Sequence, residues 1–297
     1  MNLHSTFILR SFWPEVAEQF VSRLSHVASP GNPAEFLANY ETSLKFLEDF
    51  EANLDTADSL GRVRDSAAYA DFMQLWNLAV YFQIRFQEIA RPVEAQLTES
   101  TAIARAEGGG GVQLRASEVA VAAVGECFQP GVYTAALAHR FLQLALQIVA
   151  RYKVWAEHCL HTFHASDTGE AAPRDMRRSE TSKNLQSLEA STKKSAMPKS
   201  ASEKDLASAG PSSGGLTVSM PDLVLLHADL GHLAAALPQL ISPPAASVAV
   251  DISPAVAASV SGLSSLLPSL SRAISGHIAA APVKVKKTTR KTYETEK

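Results

Sequence analysis

Cysteine is scarce in this chain: two among 297 residues, which excludes a disulfide-stapled scaffold. An excess of basic charge is missing as well. The net charge is −3, so the electrostatic footprint of a nucleic-acid binder is absent and no nucleic-acid partner is expected. Aromatic residues almost vanish in the second half: of 21, 19 lie before residue 161, the exceptions being Phe163 and Tyr293. The 46% hydrophobic content is therefore an average over two unlike materials. Long uninterrupted apolar runs are lacking too. Residues 230–250 and 252–271 carry no Asp, Glu, Lys or Arg, and a membrane span needs about 20 apolar residues. Yet Pro238, Pro243 and Pro244 break the first and Pro254, Pro268 and seven serines the second. A membrane-inserted reading of residues 230–271 is thus the weaker one, and an irregular or partly helical segment is expected. The amino terminus has neither the basic start nor the apolar stretch of a signal peptide.

What is present first is helical periodicity. Asn32-Pro33-Ala34-Glu35 reads as a helix start: a side-chain acceptor, a proline in the first turn and a carboxylate three residues on. Leu37, Tyr40, Leu44, Leu47 and Leu54 follow on one face, with Glu41, Lys45, Glu48, Asp49 and Asp55 opposite. Leu75, Leu78, Phe82, Phe86, Ile89, Val93 and Leu97 make a second stripe with steps of three and four. That helix is expected to begin near Tyr69, to cross Trp76 and to kink or stop at Pro92. Gly108–Gly111 predicts a loop, Ser117-Glu118 a short helix ending near Gly125–Cys127, and Pro130-Gly131 a turn. Leu137, Phe141, Leu144, Ile148, Tyr152 and Trp155 define a last helix. No alternating strand pattern occurs. The fold class is all-α: an antiparallel helical bundle or stack, followed by a disordered linker and a low-complexity tail.

The composition divides the chain into a helical domain over 1–160, a Ser/Lys-rich linker over 161–220, an amphipathic helix over 221–241 and an Ala/Ser/Pro segment over 242–297. The helix carries Leu223, Leu226, Leu230, Leu233, Leu237 and Leu240 at steps of three and four. The last segment closes on a basic tail, Lys284, Lys286, Lys287, Arg290 and Lys291.

Catalytic signatures are wanting. The run Gly108–Gly111 is not followed by the Lys-Ser/Thr that would engage phosphate and magnesium, and no Gly-x-Ser-x-Gly elbow occurs. His158, Cys159, His161 and His164 carry imidazole and thiolate groups suited to zinc. A zinc-binding regulatory module or enzyme centred on them is the alternative function. The competing reading is a polar helix end running into the linker. No cofactor is expected. The aromatic residues Trp76, Phe82, Phe86, Phe141, Tyr152 and Trp155 are scaffold residues first and interface anchors second.

Two stretches point to a family. Trp76-Asn-Leu-Ala-Val-Tyr-Phe-Gln-Ile-Arg-Phe-Gln-Glu-Ile-Ala90, and Leu137-Ala-His-Arg-Phe-Leu-Gln-Leu-Ala-Leu-Gln-Ile-Val-Ala-Arg-Tyr152 with Trp155 and the preceding Glu126-Cys127, resemble the carboxy-terminal part of the second subunit of the conserved oligomeric Golgi complex. Leu9-Arg-Ser-Phe-Trp-Pro-Glu-Val16 and Asp222–Leu240 resemble further parts of it, in the same order. The resemblance implies a non-enzymatic vesicle-tethering subunit built from stacked helical bundles, peripheral to the Golgi membrane on its cytosolic face. It implies sibling subunits, SNAREs and Rab GTPases as partners, and a role in intra-Golgi retrograde transport and Golgi organisation. Family chains are longer, and residues 161–220 and 241–282 read as insertions relative to them.

Overall fold

The computed structural model describes residue 7 and residues 11–54, 56–99, 102–108, 111–168, 216–241 and 253–280. Ten α-helices make up these residues: α1 (Trp13–Arg23), α2 (Pro33–Ala52), α3 (Ala57–Arg64), α4 (Ala67–Gln74), α5 (Leu78–Glu99), α6 (Arg115–Glu126), α7 (Ala138–Thr168), α8 (Met220–Leu240), α9 (Ser253–Ser264) and α10 (Leu267–Ala280). No strand occurs among the described residues. Only two isolated bridges do, Ala102 with Thr217 and Arg105 with Leu114.

Local chemistry sets the helix starts. The Asn32 side chain accepts the Glu35 backbone N–H, as its position before Pro33 predicts. Thr56 caps α3 through the Ser59 N–H, and Ser66 caps α4 through the Tyr69 N–H. Asn77 accepts the Val80 N–H at 3.1 Å and so restarts the helix after a break at 75–77. The helix expected to cross Trp76 is therefore two helices. The Trp76 ring is buried at the joint, edge-on to Phe36 and Tyr40 with centroids 5.6 and 5.5 Å away. Pro92 does not stop α5, which continues to Glu99. The donor it lacks would have met the Glu88 carbonyl. Both residues are exposed, so water can satisfy that carbonyl.

The packed pairs give the helix directions. Phe82 of α5 meets Phe141 of α7 at 5.3 Å, and Glu94 of α5 meets Arg151 of α7 at 3.1 Å, so these two helices run the same way. Ser117 of α6 bonds Tyr152 of α7, while the chain just beyond α6 returns Phe128 to Tyr133 and so toward Phe141. Thus α6 runs opposite to α7. Asp229 of α8 bonds the residues just before α6, and Gly125 near its end faces Leu240, so α8 runs with α6. The expected antiparallel bundle is this alternation of α5, α6, α7 and α8.

One large core fills the bundle, from Phe36 and Tyr40 through Phe141 and Tyr152 to Leu270. A smaller core of Trp13, Ala17, Leu47, Phe50, Val63 and Phe72 joins α1 through α4. Phe20 and Leu44 pack against both, so the two cores are in contact.

The chain beyond residue 160 differs from expectation in three respects. Helix α7 passes the domain boundary expected at residue 160 and runs to Thr168, burying Cys159, Leu160, Thr162 and Phe163 on the way. Helix α8 is no separate element: Leu223, Leu226, Leu230, Leu233 and Leu237 are buried in the main core. The segment read as poorly packing Ala/Ser/Pro sequence forms α9 and α10 over 253–280, packed on α7 and α8. Val256, Leu263, Leu266, Leu270 and Ala273 supply its buried stripe, and the small residues between them let the backbones approach. By length and composition, Met220–Leu240 is the one helix among the described residues that could cross a membrane. Its leucine stripe is the inner face of this bundle. Of the linker expected over 161–220, residues 161–168 belong to α7 and 216–220 lead into α8. Residues 169–215 and the basic tail on 281–297 lie outside the described residues.

Candidate interaction surface

The sequence-predicted scaffold residues occupy two places. Phe82, Phe86 and Phe141 cluster where α5 and α7 meet, with Phe82 and Phe86 centroids 6.2 Å apart. Tyr152 and Trp155 lie further along α7, 5.6 Å from each other. Trp76 belongs with Phe36 and Tyr40 at the α4–α5 joint instead. All six are buried, so none is by itself an exposed anchor.

Between α5 and α7 lies a shallow groove of about 220 Å³, lined by Phe82, Phe86, His139, Arg140, Gln143, Leu144 and Gln147. Phe82 and Phe86 of α5 and Leu144 of α7 contribute its apolar lining. Arg140, Gln143 and Gln147 recur at three and four residues along α7, so they form one row on the rim. The Arg140 guanidinium lies 5.6 Å over the Phe82 ring, a cation–π arrangement. None of the lining residues is acidic.

The remaining polar chemistry joins elements. Asp229, buried on α8, accepts the backbone N–H of Gln113 at 2.7 Å and of Leu114 at 2.8 Å. Leu114 immediately precedes α6, so this carboxylate also sits where the positive end of that helix dipole favours an anion. Asp222 accepts the Ser219 N–H at the start of α8 and pairs with Arg105 at 3.1 Å. Glu118 receives the Gly108 N–H at 3.0 Å and pairs with Arg115, which holds its carboxyl below the usual range. Gly108 is thereby tied to α6, and Gln113 and Leu114 to α8, and Gly111 takes a φ of +81° that favours glycine. Tyr152 shares a hydrogen bond with Ser117 at 2.7 Å, and burial pushes its phenol far up. Arg151, buried, reaches Glu94 and Thr98. Sequence reasoning missed Asp229 and Arg151, and read Asp222 only as part of the helix start at Met220-Pro221-Asp222. A lone carboxylate inside an apolar helix pattern was the available signal for Asp229.

The structure does not support the zinc reading. At 100° per residue, His158, Cys159, His161 and His164 spread over more than half of the α7 circumference. Cys159 points inward and is fully buried, while His161 and His164 are exposed. Burial pushes the Cys159 thiol far above its ordinary value, opposing the thiolate that zinc requires. His158 is half-buried and its pKa is lowered, by burial first and then by His161 and Arg151. Among the described residues no group of three His, Cys, Asp or Glu is placed to hold a metal ion. Nor is this helix end polar throughout, since Leu160, Thr162 and Phe163 are buried in it.

No solved structure matches the chain. The human conserved oligomeric Golgi complex subunit 2 is 30% identical over 275 residues, 90% of this chain and 35% of that protein. The Arabidopsis thaliana protein of the same name is 34% identical over 137 residues, 45% of this chain and 18% of its own length. The Drosophila melanogaster one is 29% identical over 154 residues, half of this chain and 22% of that protein. The chain thus spans about a third or less of the relatives it matches. Residues 74–285 match the family model described as COG complex component, COG2, C-terminal. That interval runs from the end of α4 through α10, the whole of the main bundle from α5 onward, and on it the chain belongs to the family of the second subunit of the conserved oligomeric Golgi complex.

Proposed function

We propose that this chain acts as a non-enzymatic subunit of the conserved oligomeric Golgi complex and contributes a rigid helical surface to vesicle tethering. The single observation carrying this reading is the family match over residues 74–285. Its setting is intra-Golgi retrograde transport, and its action is binding. The direct partners are the other subunits of the complex, followed by SNAREs and Rab GTPases on approaching membranes. The place of action is the cytosolic face of the Golgi membrane, with peripheral contact.

Residue chemistry supports a scaffold role. Asp229, Asp222, Glu118 and Tyr152 all bond or pair with neighbouring elements of the bundle. Trp76, Phe82, Phe86, Phe141, Tyr152 and Trp155 stiffen the surface from beneath. The test is co-purification of the full chain, tagged and expressed in cells, with the other subunits. Recovery of several in constant ratio is the expected outcome. Recovery of none overturns the reading.

A further inference from the structure

We propose that the α5–α7 groove receives a short acidic segment of a partner polypeptide, one apolar side chain seated on Phe82, Phe86 and Leu144 and a neighbouring carboxylate on Arg140. The proposal rests on the binding role argued above and names the chemistry of one such partner.

Three observations meet at the groove. Its floor is apolar and ordered: Phe82, Phe86 and Leu144 are held from below by Phe141 and the rest of the main core. Its volume of about 220 Å³ suits one large side chain. Pockets for whole small-molecule ligands run to roughly 300–1,000 Å³, so a single anchor residue fits better than a cofactor. Its rim is the row Arg140, Gln143 and Gln147, with His139 beside it. These groups are donors or amides and none is a carboxylate. The guanidinium offers paired N–H donors that match a carboxylate. The two glutamines can accept and donate along a peptide backbone.

Charge complementarity selects the occupant. With Arg140 on the rim and no acid among the lining residues, a basic segment would meet the guanidinium unfavourably, and a neutral one would bring it no counter-charge. The Phe82 ring already holds that guanidinium in place by a cation–π contact. Little side-chain freedom is then lost when a carboxylate arrives, which favours binding. An acidic segment with one Leu, Phe or Trp beside its carboxylates satisfies both floor and rim.

The experiment places a photoreactive benzoylphenylalanine at Gln143, an exposed rim position, in the full tagged chain expressed in cells. Cross-linked peptides are identified by mass spectrometry. The expected product is a segment of another polypeptide in which a large apolar residue adjoins Asp or Glu. Arg140→Glu is expected to lower its yield about tenfold, and Arg140→Lys less than threefold. Gln147→Glu adds a carboxylate to the rim without touching Phe82 and is expected to lower it similarly. This second variant carries the test should Arg140→Glu unfold the chain by circular dichroism. Absence of a cross-link overturns the proposal. So does capture of a basic or neutral segment, of this chain's own sequence, of a second copy or of lipid, or a yield indifferent to Gln147→Glu. Co-purifying subunits are scored in the same preparation. Their presence without the acidic cross-link refutes the groove alone, and their absence refutes the tethering-complex reading alone.

Discussion

Replacing Asp229 by Asn should destabilise the chain strongly, although it removes no volume. In the native fold one carboxylate oxygen accepts the Gln113 N–H and the other the Leu114 N–H, and the side chain is buried. Hydrogen bonds to a charged group contribute about 1.5–3 kcal/mol each, and a buried donor left without a partner costs about 1–3 kcal/mol. Asn offers one acceptor oxygen. Its amide nitrogen must face the second N–H, donor against donor. One bond loses its charge assistance and the other is lost outright, and the anion at the start of α6 disappears too. The loss comes to about 2–4 kcal/mol. Asp229→Ala orphans both donors and should cost about 3–5 kcal/mol. Urea unfolding followed by far-ultraviolet circular dichroism measures this as a lower midpoint at unchanged slope. Heating should show a midpoint lower by about 5–15 °C for Asp229→Asn. Amide hydrogen exchange at Gln113 and Leu114 should accelerate more than at the centre of α7. An Asn variant within about 0.5 kcal/mol of the parent would refute the account, because neither donor could then depend on the carboxylate.

Gly111→Ala should cost about 1–2 kcal/mol for the left-handed backbone alone. Its new Cβ would lie 2.9 Å from His232 Nε2, so the His232 ring must move as well, and an unchanged thermal midpoint would contradict this. Pro92→Ala should stabilise α5 by about 1–2 kcal/mol, since alanine restores the donor for Glu88; a loss in urea midpoint would show that the proline is required for the helix path. Burial raises the Cys127 thiol from 9.0 to about 12. Because the folded value lies above the unfolded one, the stabilisation is complete below pH 9.0 and fades as the pH rises toward 12. Unfolding midpoints measured across that range should fall less steeply for Cys127→Ala than for the parent, and parallel curves would argue against the burial.

The long helices were legible because one face of each must be apolar. The stripes through Leu37, Phe82, Leu144 and Leu226 identify α2, α5, α7 and α8 by spacing alone. The break at 75–77 was not, because the apolar spacing continues through Leu75 and Leu78. Only Asn77, an N-cap residue type placed before the apolar run, betrays it. The packing of α9 and α10 was obscured by composition. Serine and alanine dominate the count, while the informative positions, Leu263, Leu266, Leu270 and Ala273, keep steps of three and four. The groove had no local signature. It exists because Phe82 and Phe141, 59 positions apart, lie side by side on helices running the same way. The histidines near residue 160 look like a ligand set only when written in a line. Wound onto a helix, Cys159 turns into the core while the three histidines stay on the outer side.

The leucine face of α8 covers α6 and α7, which were synthesised well before it. Between Thr168, where α7 ends, and Met220, where α8 begins, the ribosome adds 51 residues. At about 5–20 residues per second, that interval lasts seconds. During it, the core surfaces of α6 and α7 that later receive Leu223, Leu226, Leu230, Leu233 and Leu237 have no cover from α8. A fragment ending near residue 168 would keep that condition permanently. It would offer a broad apolar surface to chaperones and to other copies of itself. Interaction screens run with such a fragment would report stickiness where the intact chain reports recognition.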